Sequence, residues 1–264
     1  MKLKELLKEI LTEKELEIAP SSFDIVGDIA IIKIPEELKK KEKKIGEQLL
    51  KFKNIKTVLK KESKVENKFR LRKYRFLAGE NKKETVHVEY GCRFKLNLEK
   101  VYFSPRLATE RDRIVKQIKK GEKVLVMFAG IGPYAVQIAK RSGAEIVYAI
   151  EINPEAYRYM EENIKLNKVQ NKIKIFLGDV RDVVPKLKEK FDRIVMPLPM
   201  DGENFLNLAK MVSKKGTIVH FYTFASSEEE AIKKINYNVK ILTCVRCGSY
   251  SKNLYRFCVD FIFI

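Results

Sequence analysis

The stretch VLVMFAGIGPYA at residues 124–135 decides the fold, and VYAIEINP at residues 147–154 answers it. The first is an apolar run ending in Gly130-Ile131-Gly132, which reads as a buried strand turning tightly into a helix. The glycines admit a ligand close to the backbone, and the helix start presents unpaired N–H groups. The second run ends in Glu151, a carboxylate able to accept both hydroxyls of a ribose. Strand, glycine turn, helix, strand and acid describe a βαβ unit that binds a nucleoside-type cofactor. A dinucleotide fold calls for G-x-G-x-x-G. Here residue 135 is alanine and Pro133 follows the second glycine, which disfavours NAD and FAD.

Two further strand ends follow in order. KIFLGDVRD at 174–182 carries a strand to Asp179, and DRIVMPLP at 192–199 carries another to a proline-rich turn. F-A-G-I-G-P and A-I-E-I-N-P resemble the first two motifs of the class I S-adenosylmethionine-dependent methyltransferases. The resemblance implies a Rossmann-like α/β domain with a mostly parallel seven-stranded sheet and S-adenosylmethionine as cofactor. It implies cofactor contacts from Phe128, Ala129, Gly130, Gly132, Glu151 and Ile152. Asp179, Val180 and Pro197 complete the implied cofactor contacts, Asp179 at the adenine, and Pro197 also opens the turn where such enzymes hold the target base.

The bulk numbers agree with a packed enzyme. Of 264 residues 45% are apolar, ample for a core of this size. No run of eighteen apolar residues occurs, and the N-terminus is a Lys/Glu-rich helical pattern rather than a signal sequence, so a soluble, cytoplasmic protein is expected. Four cysteines (Cys92, Cys244, Cys247, Cys258) make no disulfide framework. Cys244 and Cys247 form one C-x-x-C, and the two histidines are His87 and His220. Strand cysteines near a sheet edge, or at most a stabilising disulfide, fit better than a zinc site, and no metal is expected.

The net charge of +19 points to a polyanionic partner. Residues 51–75 hold eleven basic residues and two acidic ones. They are interleaved with Phe52, Phe69 and Tyr74, the mixture of phosphate contacts and stacking surfaces used by RNA binders. A solvated lysine-rich face of a heat-adapted protein is the competing reading, supported by abundant Lys and Glu. The clustering favours RNA, with Lys60, Lys61 and Arg72 as contacts. Charge reversal of Lys60 and Lys61 is then expected to weaken RNA binding in a salt-dependent way.

Along the chain, residues 2–18 read as one amphipathic helix, FDIVGDIAIIKIP at 23–35 as a strand pair turning at Gly27-Asp28, and EELKKKEKKIGEQLLKF as a charged helix. NIKTVLKK, RLRKYRFLAG, TVHVEYGCRFKLNL and KVYFS supply further strands. These make a small α+β domain over residues 1–100, contributing RNA-binding and active-site residues. From 101 to 264 strands and helices alternate, ending in an antiparallel strand pair at the edge of an otherwise parallel sheet. The two domains are expected to pack together rigidly in a monomer.

RLRKYRFLAGENKKETVHVEYG at 70–91 and KVYFSPRLATERDRI at 100–114 turn attention to the substrate. With F-R-x-R, L-A-G-E, V-Y-F-S-P-R-L and E-R in this order ahead of F-A-G-x-G-P, residues 21–264 resemble the archaeal and eukaryotic tRNA methyltransferases that modify N1 of guanine 37. By that resemblance Glu110 in A-T-E-R is the general base that removes the N1 proton. Arg70 in F-R-L-R stabilises the charge that moves onto O6. Arg106, Arg111 and Arg113 become contacts to anticodon-loop phosphates. From the residues alone, Glu110 reads first as a first-turn helix acid after an N-cap Thr109, and Arg70 first as a phosphate contact; the resemblance reverses that order.

The chain departs from the family at several points. Many relatives have N-L-P where Pro197-Leu198-Pro199 stands, Asp where Glu151 stands, and Asp where Val126 stands in the first strand. The first two departures resemble the archaeal wyosine-pathway subgroup, whose members methylate guanine N1 and also C7 of 4-demethylwyosine. Loss of the Asn amide could admit that larger base. The chain also begins too late to hold the extra N-terminal domain of its relatives, so recognition is expected to rest on the anticodon stem-loop. The alternatives are the sister aminocarboxypropyltransferase of the wyosine pathway, which product mass separates, and a non-catalytic RNA-binding protein, which cofactor binding separates.

Overall fold

The structure is a computed structural model describing residues 3–62, 69, 71–198 and 200–264. It divides into two compact units. One holds the residues up to Glu89 together with Arg93–Pro105; the other holds Tyr90–Cys92 and Arg106–Ile264.

The first unit begins with two short helices, α1 (Leu3–Leu7) and α2 (Glu13–Ile18), where a single helix is expected from the periodicity. The reason lies at Thr12. Its side chain accepts the Glu15 N–H, and the Glu15 carboxylate accepts the Thr12 N–H at 2.8 Å, a capping box that starts a new helix. Strands β1 (Asp24–Val26) and β2 (Ile29–Ile32) pair antiparallel about Gly27, whose φ of 58° suits glycine. Helix α3 (Glu42–Leu49) then crosses to β3 (Thr57–Lys61), which lies parallel to β2, and β4 (Tyr74–Gly79) pairs antiparallel with β3. Ile45 and Leu49 turn the apolar face of α3 onto this sheet. Gly46 permits the approach, since a Cβ there would stand 2.8 Å from the Leu77 Cβ. Ala30, Ile32, Val58 and Leu77 complete the core beneath. Each such buried aliphatic side chain contributes about 1.5–3 kcal/mol.

TVHVEYGCRFKLNL is a hairpin, β5 (Glu84–Glu89) and β6 (Cys92–Asn97), turning at Tyr90 and Gly91. KVYFS forms no strand; the chain passes from it into a 3-10 turn, Pro105–Leu107.

The second unit runs α4 (Ala108–Gln117), β7 (Lys123–Val126), α5 (Pro133–Arg141), β8 (Ile146–Glu151), α6 (Pro154–Leu166), β9 (Ile173–Leu177), α7 (Val180–Val183), β10 (Phe191–Met196), α8 (Leu206–Met211), β11 (Ser213–Ala225), α9 (Glu228–Lys233), β12 (Val239–Ser251) and β13 (Leu254–Phe263). The seven strands are ordered β12-β13-β11-β10-β7-β8-β9. Strands β11, β10, β7, β8 and β9 are mutually parallel, and β13 and β12 close one side antiparallel. The parallel strands read as continuous apolar runs because helices cover both faces. Leu125, Ile150, Ile194 and Val219 are wholly buried along them, as is Phe261 on the antiparallel β13. This is the doubly wound arrangement expected from the strand ends.

Candidate active site

The register places the carboxyl ends of four strands side by side. Val126 of β7 lies between Val195 of β10 and Ala149 of β8, and Glu151 of β8 pairs with Leu177 of β9. The segments carrying Pro197, Gly130, Glu151 and Asp179 therefore emerge at one edge, where ligands of open α/β sheets bind. Pro199 lies outside the described residues, as does Arg70.

The glycine turn is built from unusual backbone. Phe128, Gly130 and Gly132 have φ of 55°, 57° and 84°, the first uncommon for a residue with a Cβ. Gly132 is the N-cap of α5 and carries no side-chain cap, so the helix start keeps N–H groups open to a ligand. From below, α6 sets the turn. The buried Asn163 amide donates to the Ile131 carbonyl at 3.1 Å, and a Cβ on Gly132 would meet the Met160 side chain at 2.9 Å. Phe128 packs edge-on to Phe205 with ring centroids 5.0 Å apart. Ala129 is buried and its N–H donates to the Ile150 carbonyl, locking the turn to β8.

Glu151 ties the turn to the start of α6. One carboxylate oxygen accepts the Gly130 N–H at 2.6 Å and the other the Asn153 N–H at 2.7 Å. Burial pushes its carboxyl upward, and these backbone donors counter the shift. A carboxylate has about four acceptor positions, more than these backbone donors occupy, so its chemistry fits a ribose hydroxyl donor. Asp179 caps α7 through the Arg181 N–H and is ion-paired with the exposed Arg181 guanidinium at 2.6 Å. Ile152 is half-buried and Val180 buried beside these acids. Val126 is fully enclosed within the sheet.

Glu110 lies in the first turn of α4, 6% exposed, with Leu107 rather than Thr109 at the N-cap. Its Oε1 accepts the Tyr222 hydroxyl from β11 at 2.6 Å, and Tyr134 of α5 donates to the Tyr222 oxygen at 2.8 Å. Two phenols thus join the carboxylate to the helix that begins at the glycine turn. Arg113 donates to both Glu110 oxygens at 2.8 Å and to Asp260 of β13 at 2.7 Å. Burial works against the Arg113 charge, but Glu110 and Asp260 together hold it firmly protonated.

The network continues into the sheet. Asp260 and His220 are cross-strand partners, with Nδ1 2.6 Å from the carboxylate, and the His220 Nε2 faces the Arg193 guanidinium at 2.8 Å. Arg193, wholly buried, is also held by Glu122 and the Gln117 carbonyl. An arginine only donates, so Nε2 is the bare nitrogen and Nδ1–H donates to Asp260. Burial lowers the His220 pKa against the pull of Asp260. Burial also opposes the Asp260 charge, yet the His220 and Arg113 donors hold its carboxyl far below the usual range. Cys258 joins His220 and Asp260 within 4.8 Å, but these lone pairs already face two guanidiniums.

Several expected RNA contacts have other surroundings. Arg111 is 2% exposed and Arg113 is locked between two carboxylates, so neither guanidinium presents itself to a phosphate. Lys60 is 8% exposed and its ammonium pairs with Glu42 at 3.2 Å, while Lys61 pairs with Asp24. The alternation that buries Val58 on β3 also carries Lys60 inward. Arg106 is exposed on its 3-10 turn and Arg72 is half-buried. Residues 63–68 of the basic segment lie outside the described residues. Cys244 and Cys247 sit on the edge strand β12 as free thiols, pushed by burial to about 11 and about 12.

Tyr134, Tyr222, His220, Asp260 and Arg193 were not legible as site residues. The available signal was a lone charge or imidazole inside apolar strands, as in TIVHFYTF and FCVDFIFI.

A sheet of this order, with a glycine turn after β7 and a buried acid ending β8, is the arrangement of a class I S-adenosylmethionine-dependent methyltransferase. Residues 85–245 match the TRM5/TYW2 methyltransferase domain and residues 3–82 the TYW2 N-terminal domain. The chain belongs to the TRM5/TYW2 methyltransferase family. It is 44% identical to the tRNA (guanine(37)-N(1))-methyltransferase Trm5b of Pyrococcus abyssi, over 92% of this chain and 74% of that one. It is 36% identical to the tRNA (guanine(37)-N(1))/4-demethylwyosine(37)-methyltransferase Taw22 of Nanoarchaeum equitans, over 81% and 88%. A structure of aTrm5 in complex with tRNALeu superposes with a TM-score of 0.90 at 35% identity, covering 100% of this chain and 78% of that one.

Proposed function

We propose that this chain transfers the methyl group of S-adenosylmethionine to N1 of guanine 37 in tRNA. The observation that carries the reading is the join between Glu110 and the start of α5 through Tyr222 and Tyr134, which fixes a carboxylate relative to the cofactor turn. When bound, S-adenosylmethionine supplies an electrophilic methyl group. Gly130, Gly132 and Glu151 hold its nucleoside end, with Asp179 and Val180 at the base. Glu110 would accept the N1 proton of guanine, and the electron pair freed at N1 would take the methyl carbon as the carbon–sulfur bond of the cofactor breaks, its pair staying on sulfur in the departing neutral thioether. Tyr222 and Arg113 keep the carboxylate aimed through their hydrogen bonds to its two oxygens. Arg70 keeps, within this proposal, the role of stabilising negative charge on O6.

The test is nucleoside mass spectrometry of an unmodified tRNA transcript after reaction with S-adenosylmethionine. The expected product is 1-methylguanosine at position 37, formed much more slowly but still measurably by Glu110→Gln. An aminocarboxypropyl adduct, or cofactor binding with no product, would point to the two alternatives.

A second activity, methylation of C7 of 4-demethylwyosine, is favoured by Pro197-Leu198 at the end of β10, where many relatives carry an Asn amide. Labelled cofactor and tRNA bearing 4-demethylwyosine test it directly. Absence of a C7-methylated product removes this second reading without touching the first.

A further inference from the structure

We infer that Asp260, steadied by His220, is a positioning residue for methyl transfer. By holding one side of Arg113 it keeps Glu110 oriented and able to take up the guanine proton. The inference rests on the proposed role of Glu110.

The geometry is one guanidinium shared between two carboxylates. Arg113 gives Nε and one terminal nitrogen to Glu110, while its other terminal nitrogen donates to Asp260 Oδ2 at 2.7 Å. A planar fork engaged on both sides cannot rotate, so the Glu110 carboxylate inherits a fixed plane. Among the described residues, the titratable and charged groups around Glu110 are Arg111 and Arg113 on α4, Tyr134 on α5, Tyr222 on β11, Cys247 on β12, and Cys258 and Asp260 on β13. Burial keeps both phenols and both thiols protonated. Asp260 is therefore the anion that remains beside Arg113 once Glu110 has been neutralised.

That matters at the moment of proton transfer. With Asp260 present, protonated Glu110 leaves behind an Arg113–Asp260 pair whose charges cancel. Without it, the same step leaves a half-buried cation lacking a counter-charge, which disfavours the protonated state of Glu110. His220 completes the device. Arg193 fixes its tautomer, so the Nδ1–H points at Asp260 and the Asp260 carboxylate cannot swing away.

The experiment measures kcat and both KM values across pH for Asp260→Asn and Glu110→Gln, normalised to folded enzyme by calorimetric titration with S-adenosylmethionine. Asp260→Asn is expected to lower kcat by roughly tenfold or more with both KM values little changed. Its acidic limb should move to lower pH by about half a unit or more, because Arg113 now holds Glu110 ionised alone. An activity loss with an unmoved limb, or one confined to KM, overturns the inference. Glu110→Gln separates the two ideas. If it retains the acidic limb, the general-base reading fails; if it abolishes the limb while Asp260→Asn leaves it in place, only the positioning role fails. Should Asp260→Asn not fold, His220→Leu and His220→Asn replace it. The leucine variant is expected to lose kcat and the asparagine variant, whose amide can occupy the Nδ1 position, to restore it. Equal activity in both overturns the inference.

Discussion

Glu151, which the proposed function assigns to the cofactor, is first a structural residue. Its two oxygens hold the amides of Gly130 and Asn153, so the cofactor turn and the start of α6 share a single carboxylate. Replacing it with Gln sets an NH₂ group against one of those N–H donors. Glu151→Gln is expected to weaken S-adenosylmethionine binding by about 1.5–3 kcal/mol, the range for hydrogen bonds to charged groups, measured by calorimetry on folded protein. Unaltered affinity would remove Glu151 from the cofactor contacts. At this scale the sequence was legible wherever a residue type is rare for a physical reason. Two glycines in a turn and an acid ending an apolar strand are such cases. It was illegible where partners come from distant elements: nothing near Arg113 in the chain announces Asp260, 147 residues on, and His220 meets that same carboxylate only because β13 lies beside β11 in the folded sheet.

Elements were legible in type and less so in extent. The hairpin turn at Gly27, the βαβ series and the final antiparallel pair all follow from local pattern. The N-terminal helix was overrun because its apolar spacing continues through Thr12, and the capping box there outweighs periodicity. Lys60 of the basic segment turns inward for a related reason. Counting charges over residues 51–75 ignores the alternation of β3, which turns Lys60 onto Glu42, itself shared with Arg75 of β4. The cluster clamps α3, β3 and β4 together. Lys60→Ala is expected to destabilise the protein by about 1–3 kcal/mol in chemical denaturation, since Glu42 keeps Arg75. Its tRNA affinity at low salt should change by less than about threefold if Lys60 makes no phosphate contact.

At the scale of the molecule, the buried His220 and Asp260 bind stability to pH. His220 takes its proton less readily folded than unfolded, so below about pH 6.5 the unfolded chain binds protons that the native state refuses. Stability therefore rises with pH up to that point and falls on acidification, by at most about 1.4 kcal/mol per pH unit from this group. The Asp260 carboxyl, held low when folded, adds stability that is complete above the ordinary aspartate value of about 3.9 and is lost below it. Urea midpoints from about pH 7 to pH 4 should fall in the native protein and fall less steeply in His220→Asn. Equal slopes would mean that His220 is not kept neutral in the fold.

The edge strand β12 has a consequence of another kind. Its pairing with β13 slips at three places, between Ile241 and Thr243, Arg246 and Gly248, and Ser249 and Ser251. The longest straight run it offers is Thr243–Arg246. A thirteen-residue border that long would otherwise be a template for another chain, and each slip twists its free amides out of line. Irregularity of this kind makes β12 a poor template for a second chain: a border too crooked to copy.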